Sequence, residues 1–368
     1  MSLFVVTFFP IFVVNFHNMQ IASNFKKQER YIYKWLLTGC VLIVLMVVVG
    51  GITRLTQSGL SMVKWEPIMG TLPPMSQQAW QEAFDLYKQS PEFYHYNADF
   101  TLSDFKSIFF WEYLHRLIAR ILGMVFIIPF VIFWFKGFFS KRVMKHVLII
   151  FALGTFQGVL GWFMVKSGLV DQPHVSHYRL AAHLFTALGL LVYIYWVALS
   201  IKYVVNSHSS DKLRRAVKVF IGLVFLQIIY GAFVAGLKAG FFYNTFPKMG
   251  TNWIPDNFGS IISSQGVTAV FDNPGIVQFI HRIIAYAVLF ALTTLWMKAK
   301  KEELSLHQRK GLVLLSIMVG IQVVLGILTL LYVVPISLGV AHQFGAILVL
   351  LASFYSLFTF KKDRNGHL

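Results

Sequence analysis

The sequence predicts an all-α integral membrane protein with eight transmembrane helices, built as two tandem four-helix bundles related by a parallel pseudo-twofold repeat. Three observations predict this. The chain has eight apolar stretches of spanning length, an internal repeat four stretches long, and Lys and Arg concentrated in alternate connections. Of 368 residues, 57% are hydrophobic and only 13% charged, whereas a soluble domain carries about 25% charged residues. That balance excludes a disordered chain, a coiled coil and an ordinary soluble enzyme. A single cysteine excludes an internal disulfide and any cysteine-only metal cluster.

A spanning helix needs about 20 mostly apolar residues. Such stretches lie at 33–53, 115–135, 145–165, 183–203, 214–236, 279–298, 311–333 and 339–360. Helices satisfy their own backbone groups, as lipid requires. The alternating ten-residue segments of a membrane β-barrel do not occur. Residues 1–30 read as an N-terminal tail. The apolar run near Pro10 is too short to span and lacks the basic start of a signal peptide, and Met19 is an alternative start. The two halves are expected at 31–205 and 206–361, with a short tail at 362–368.

The net charge of +17 would suggest nucleic acid in a soluble protein. Here most of the basic residues cluster in the connections on one side, as at Lys26, Lys27 and Arg30 or Lys212, Arg214 and Arg215. This is a topology signal and predicts cytoplasmic N- and C-termini. No nucleic-acid partner is expected. With no transit peptide visible, a bacterial plasma membrane is the expected location and a mitochondrial inner membrane the alternative. Two outer loops, 54–114 and 237–278, are long. Long loops usually serve function, so a lid over sites at the outer helix ends is expected. The first contains an amphipathic stretch over 77–89.

The repeat is visible in four places. Glu112-Tyr-Leu-His115-Arg116-Leu-Ile-Ala119 parallels Gln278-Phe-Ile-His281-Arg282-Ile-Ile-Ala285. Phe156-Gln157-Gly-Val-Leu-Gly161 parallels Ile321-Gln322-Val-Val-Leu-Gly326. Gly51 through Pro67, Met69 and Gly70 parallels Gly231 through Pro247, Met249 and Gly250. His183-Leu-Phe parallels His342-Gln-Phe. Four helices is an even number, so both halves enter the membrane in the same direction, unlike inverted transporter repeats.

Twelve histidines occur. Eight fall in predicted tails or loops, among them His95, His146, His177 and His307. The remaining four, His115, His183, His281 and His342, begin the even-numbered stretches. Ionisable groups at membrane depth mark function by default; interfacial anchoring is the plain alternative. Zinc needs three or four clustered ligands, which one histidine per helix does not supply. Two imidazoles from facing helices of a bundle suit haem iron. Gly161, Gly231 and Gly326 each follow a Gln by four residues, and either thin the helices for a flat macrocycle or allow close helix packing. Arg116 and Arg282 are candidate propionate contacts, or interface arginines that snorkel. Glu112, one turn before His115, has Gln278 as its counterpart. A carboxylate beside one histidine pair only predicts proton-coupled chemistry in the N-terminal half and electron transfer in the other. Its plain alternative is an exposed acid at the membrane boundary.

With these residues in view, the chain resembles the haem A synthase family, in its cysteine-free mitochondrial and proteobacterial type. The resemblance covers about residues 30–360. It rests on Gly50-Gly51-Ile-Thr53-Arg54-Leu-Thr-Gln-Ser58-Gly59, on Trp65-Glu-Pro67 with Gly70 and Pro73-Pro74, on Tyr178-Arg179 through His183, on the two His-Arg segments, and on Ala341-His342-Gln343. It implies an oxidoreductase that hydroxylates the position-8 methyl of haem O successively to a formyl group, giving haem A for cytochrome oxidase. It further implies His115 and His183 as axial ligands of substrate haem O, Glu112 as the catalytic carboxylate, and His281 and His342 as axial ligands of a haem B cofactor. A haem O synthase, an external electron-transfer protein and further copies of the chain are the partners it suggests. Some members carry a cysteine pair in the first outer loop. Here Cys40 lies inside the first helix, so no loop disulfide can relay electrons. A quinone-linked di-haem cytochrome b is the rival reading, and a haem transporter a more distant one.

Overall fold

The computed structural model describes residues 26–63, 72–168, 175–203 and 210–361. The tails at 1–25 and 362–368, the Trp65-Glu66-Pro67 motif with Met69 and Gly70, and His17, His174, His208 and His367 lie outside the described residues. Eight helices are long and apolar enough to cross a membrane. They are α1 (Lys27–Leu55), α2 (Leu102–Phe135), α3 (Lys141–Gly168), α4 (His177–Lys202), α5 (Asp211–Gly236), α6 (Pro274–Ala299), α7 (Leu306–Leu331) and α8 (Ile336–Thr359). Among the described residues no β-strand forms; Met249 and Asn252 make one isolated bridge.

Several helices outrun their apolar stretches, and three of them do so through capped first turns. Thr101 and Asp104 form a capping box that starts α2. Ser305 and Gln308 do the same for α7. Asn273 accepts the Ile276 N–H, with Pro274 at the first helical position of α6. This corrects the expectation that the four histidines begin their helices: His115 lies thirteen residues inside α2, and His183, His281 and His342 six or seven inside theirs. For the same reason His146, His177 and His307 belong to α3, α4 and α7, and His95 to a short helix, rather than to loops.

Helices α1, α4, α5 and α8 pack against one another and form the centre of the molecule. α2 lies on α1, α3 on α4, α6 on α5 and α7 on α8. The core they share runs through both halves. It includes Leu36, Cys40 and Val44 of α1, Leu191, Tyr195 and Ala198 of α4, Val217 and Phe220 of α5, and Leu350, Leu351 and Tyr355 of α8. Cys40 is fully buried. The outward faces of α2 and α3 expose Met124, Ile128, Phe151 and Phe156, as lipid contact demands.

The two long loops carry structure of their own. The amphipathic stretch forms a helix over Gln77–Tyr87, capped by Ser76, and a second short helix follows over Pro91–Tyr96. Phe84 and Tyr87 pack on Phe105 and Phe109, which belong to the extension of α2 above the apolar stretch. The second loop holds a helix over Phe258–Gln265.

Candidate functional site

Each of the four histidines rests on a glycine of the helix that precedes its own. A Cβ at Gly50 of α1 would lie 3.2 Å from His115 Nε2. At Gly161 of α3 it would lie 3.1 Å from His183 Cε1, and at Gly231 of α5, 3.2 Å from His281 Cε1. At Gly326 of α7 it would lie 2.8 Å from His342 Cε1. A contact under 3.0 Å forces a shift, so any larger residue at the last seat must displace the His342 ring. The Gln-to-Gly spacing therefore has a third explanation beyond the two the sequence offered: the glycine makes room for an imidazole.

The glutamines one turn earlier reach the same rings. Gln157 Nε2 lies 3.1 Å from His183 Nδ1 and donates to the His183 carbonyl at 2.9 Å. Gln227 Nε2 lies 3.1 Å from His281 Nε2. Gln322 Nε2 lies 3.2 Å from His342 Nδ1 and donates to the His342 carbonyl at 3.0 Å.

The histidines pair within each half. His115 and His183 are close enough for a charge on one to be felt by the other, and so are His281 and His342. His281 Nδ1 is buried without a hydrogen-bond partner. Among the described residues no group of three or more His, Cys, Asp or Glu side chains could hold a metal ion. Two imidazoles per half, seated on glycines in an apolar bundle, form the donor set that haem iron takes.

Above the histidines the halves diverge. Glu112 is buried, 3% exposed, which overturns the plain alternative of an exposed acid. Its Oε2 accepts from Ser61 Oγ and from the Met62 backbone N–H, both at 2.8 Å, and its Oε1 pairs with Arg116. Gln278, also 3% exposed, instead donates to the Tyr243 carbonyl at 3.2 Å. The carboxylate binds the preceding loop through that loop's donors, and the amide binds the equivalent loop through an acceptor there, as their chemistry dictates. Arg116 also donates to the Met62 carbonyl at 3.1 Å, and Arg282 to the Tyr243 and Lys248 carbonyls at 2.9 and 3.1 Å. Both guanidiniums tie an outer loop to a histidine helix.

Sequence reasoning missed several residues here. Arg54 donates to the Ala235 and Gly236 carbonyls at the end of α5, joining the halves. Its position in the last turn of one helix, among carbonyls of another, follows the preference of cations for helix C-termini. Gln343 donates to the Val47 carbonyl at 2.7 Å, and Gly51 gives its side chain room. Glu92, buried in the outer cap, accepts from the Tyr87 hydroxyl at 3.2 Å, and Asn97 donates to that hydroxyl at 2.7 Å. Burial pushes the Glu92 carboxyl up to about 7.

A family model for cytochrome oxidase assembly proteins, COX15-CtaA, matches residues 33–354, all eight spanning helices and all four histidines included. The chain belongs to the COX15-CtaA family. A COX15-CtaA relative in Flavobacterium psychrophilum, named Heme A synthase, is 46% identical over 91% of this chain and 100% of its own. The Heme A synthase of Nitrosospira multiformis is 44% identical over 89% of this chain and 92% of its own. Human Heme A synthase COX15 is 43% identical over 88% of this chain and 81% of its own.

Proposed function

We propose that the protein is a haem A synthase, which converts the position-8 methyl of haem O into the formyl group of haem A by successive hydroxylations. The observation that carries this reading is a difference between two repeat-related sites: Glu112 lies one turn before His115, and Gln278 one turn before His281. His115 and His183 bind the substrate haem O. His281 and His342 bind a haem B that stays. When bound, the porphyrin supplies a conjugated ring over which charge from oxidation at the methyl can spread.

The chain's own residues do the rest. The four glycine-seated imidazoles set the positions of the two irons. Ser61, Met62 and Arg116 fix the Glu112 carboxylate, whose oxygens receive the proton released from the methyl. The cap packs on the extension of α2 one to two turns before Glu112 and closes that end of the helix. His281 and His342 would hold a haem able to exchange electrons with an external electron-transfer protein.

The test is expression in a host that makes haem O but no haem A, followed by chromatography and mass identification of the extracted haems. Haem A or the haem O alcohol beside haem B is expected. Glu112→Gln should keep both haems and lower haem A formation about 10²- to 10⁴-fold, the span typical of a lost acid–base group. Haem B alone at two per chain, with haem O untouched, would mean a di-haem cytochrome b. Undiminished haem A from the Gln variant would remove Glu112 from the chemistry.

A further inference from the structure

Three of the four histidines have a glutamine partner, and the fourth does not. Four residues before Gly161, Gly231 and Gly326 stand Gln157, Gln227 and Gln322, each with its amide against the histidine ring. Four residues before Gly50 stands Met46, and four before its neighbour Gly51 stands Val47. Val47 has no polar side-chain atom, and the Met46 thioether neither donates nor accepts more than weakly. Among the described residues, the His115 ring makes no hydrogen bond.

The partnered amides have capacity to spare. Gln227 Oε1 and Gln322 Oε1 are buried without a partner. Half a turn of the terminal amide, which exchanges its oxygen and nitrogen, would bring an acceptor to the ring. A histidine that binds iron through one nitrogen carries its proton on the other, and an acceptor there fixes the tautomer, the ring orientation and the ligand strength. Gln157 differs: its Oε1 accepts from Thr186 at 2.6 Å and its Nε2 donates to the His183 carbonyl, so this amide cannot turn and steadies the His183 ring by fixed contact.

We propose that Gln157, Gln227 and Gln322 are positioning residues that lock His183, His281 and His342 as lasting ligands, and that His115, with Met46 at the position of the missing glutamine, is the ligand built to let go. The inference rests on the reading of haem O as a substrate bound in the N-terminal half. A resident cofactor needs two firm ligands. A substrate that must enter and leave needs one firm ligand and one that releases, and that is the distribution found. The release point lies on the helix that carries Glu112, one turn away, so the ring opens on the side where the chemistry is placed.

The test uses the purified, haem-loaded protein. Haem loss to excess apomyoglobin and carbon monoxide binding to the reduced haems are followed optically; neither depends on turnover. In the unaltered chain, one haem of the two should exchange and bind carbon monoxide, and the other should resist both. Met46→Gln should slow exchange of the labile haem, and Gln322→Met should speed loss of the other, each by roughly 10- to 100-fold, the usual worth of a ligand's hydrogen-bond partner. Gln322→Glu, which keeps an acceptor, should restore retention, whereas a merely structural role for Gln322 would not respond to that rescue. Equal exchange of the two haems in the unaltered chain would overturn the proposal. So would a folded Gln322→Met protein that holds its haem as the unaltered chain does. Failure to make haem A with the exchange asymmetry intact would count against the enzymatic reading alone.

Discussion

The glycine under each histidine makes the sites brittle at single atoms. Gly326→Ala would put a methyl 2.8 Å from the His342 ring. Overpacking of this kind costs about 1–3 kcal/mol, and the ring is the part able to move. The variant is therefore expected to lose the C-terminal haem while the N-terminal haem remains, read as haem per chain and as the spectrum of what is left. Gly158→Ala, on the exposed face of α3 with nothing within 4 Å, is the control and should change neither. Three of the four seats were legible as a Gln followed by Gly one turn later. The fourth was hidden because the repeat aligns Gly51 with Gly231, while the contact to His115 is made by Gly50. One residue is about 100° of helix rotation, and sequence similarity does not record how a helix is turned about its axis. The partners of Glu112 were hidden for a related reason: Ser61 and Met62 are distant in sequence, and a loop's return path is not periodic.

Among the elements, the outer cap is the one whose stability should depend on pH. Glu92 is buried beside Tyr87, with Arg54, Lys238 and Glu112 as the charged groups that act on it. Burial, the largest cause, raises its carboxyl to about 7, against about 4.3 for an unfolded glutamate. Between those values the folded cap holds a proton that the open cap releases. Its stabilisation is complete below about pH 4, falls as pH rises, and is lost above about 7. Protection against hydrogen exchange over Gln77–Tyr96, taken relative to the intrinsic exchange rate at each pH, should therefore fall from pH 5 to 8. Glu92→Gln should flatten that dependence and leave the cap better protected at pH 8; a slope unchanged by the substitution would assign the titration to another group. The helix at Gln77–Tyr87 was legible from its amphipathic period. The extension of α2 was not, because Thr101, Ser103, Asp104 and Lys106 depress hydropathy while the capping box promotes the helix. Hydropathy reports where lipid begins, and capping reports where the helix begins. In α2 those points are thirteen residues apart.

At the scale of the whole molecule, the eight helices and the parallel duplication were legible because both are written as recurring patterns. That α1, α4, α5 and α8 share one core was not, since apolar residues facing a neighbouring helix and those facing lipid look alike in sequence. The parallel repeat also has an electrical consequence. Both histidine pairs sit on helices that descend from the same surface, and α4 touches α8 directly. A charge passed between the two pairs travels along the membrane plane. A charge that crosses the bilayer gains or loses about 2.3 kcal/mol per 100 mV; one that moves sideways does neither. In sealed vesicles, haem A formation should therefore proceed at the same rate whether an ion gradient makes the interior positive, negative or neutral. A rate that follows the applied voltage would place the two pairs at different depths. On the proposed reading, the duplication lets oxidation of a membrane-bound pigment go forward without drawing on, or opposing, a proton-motive force.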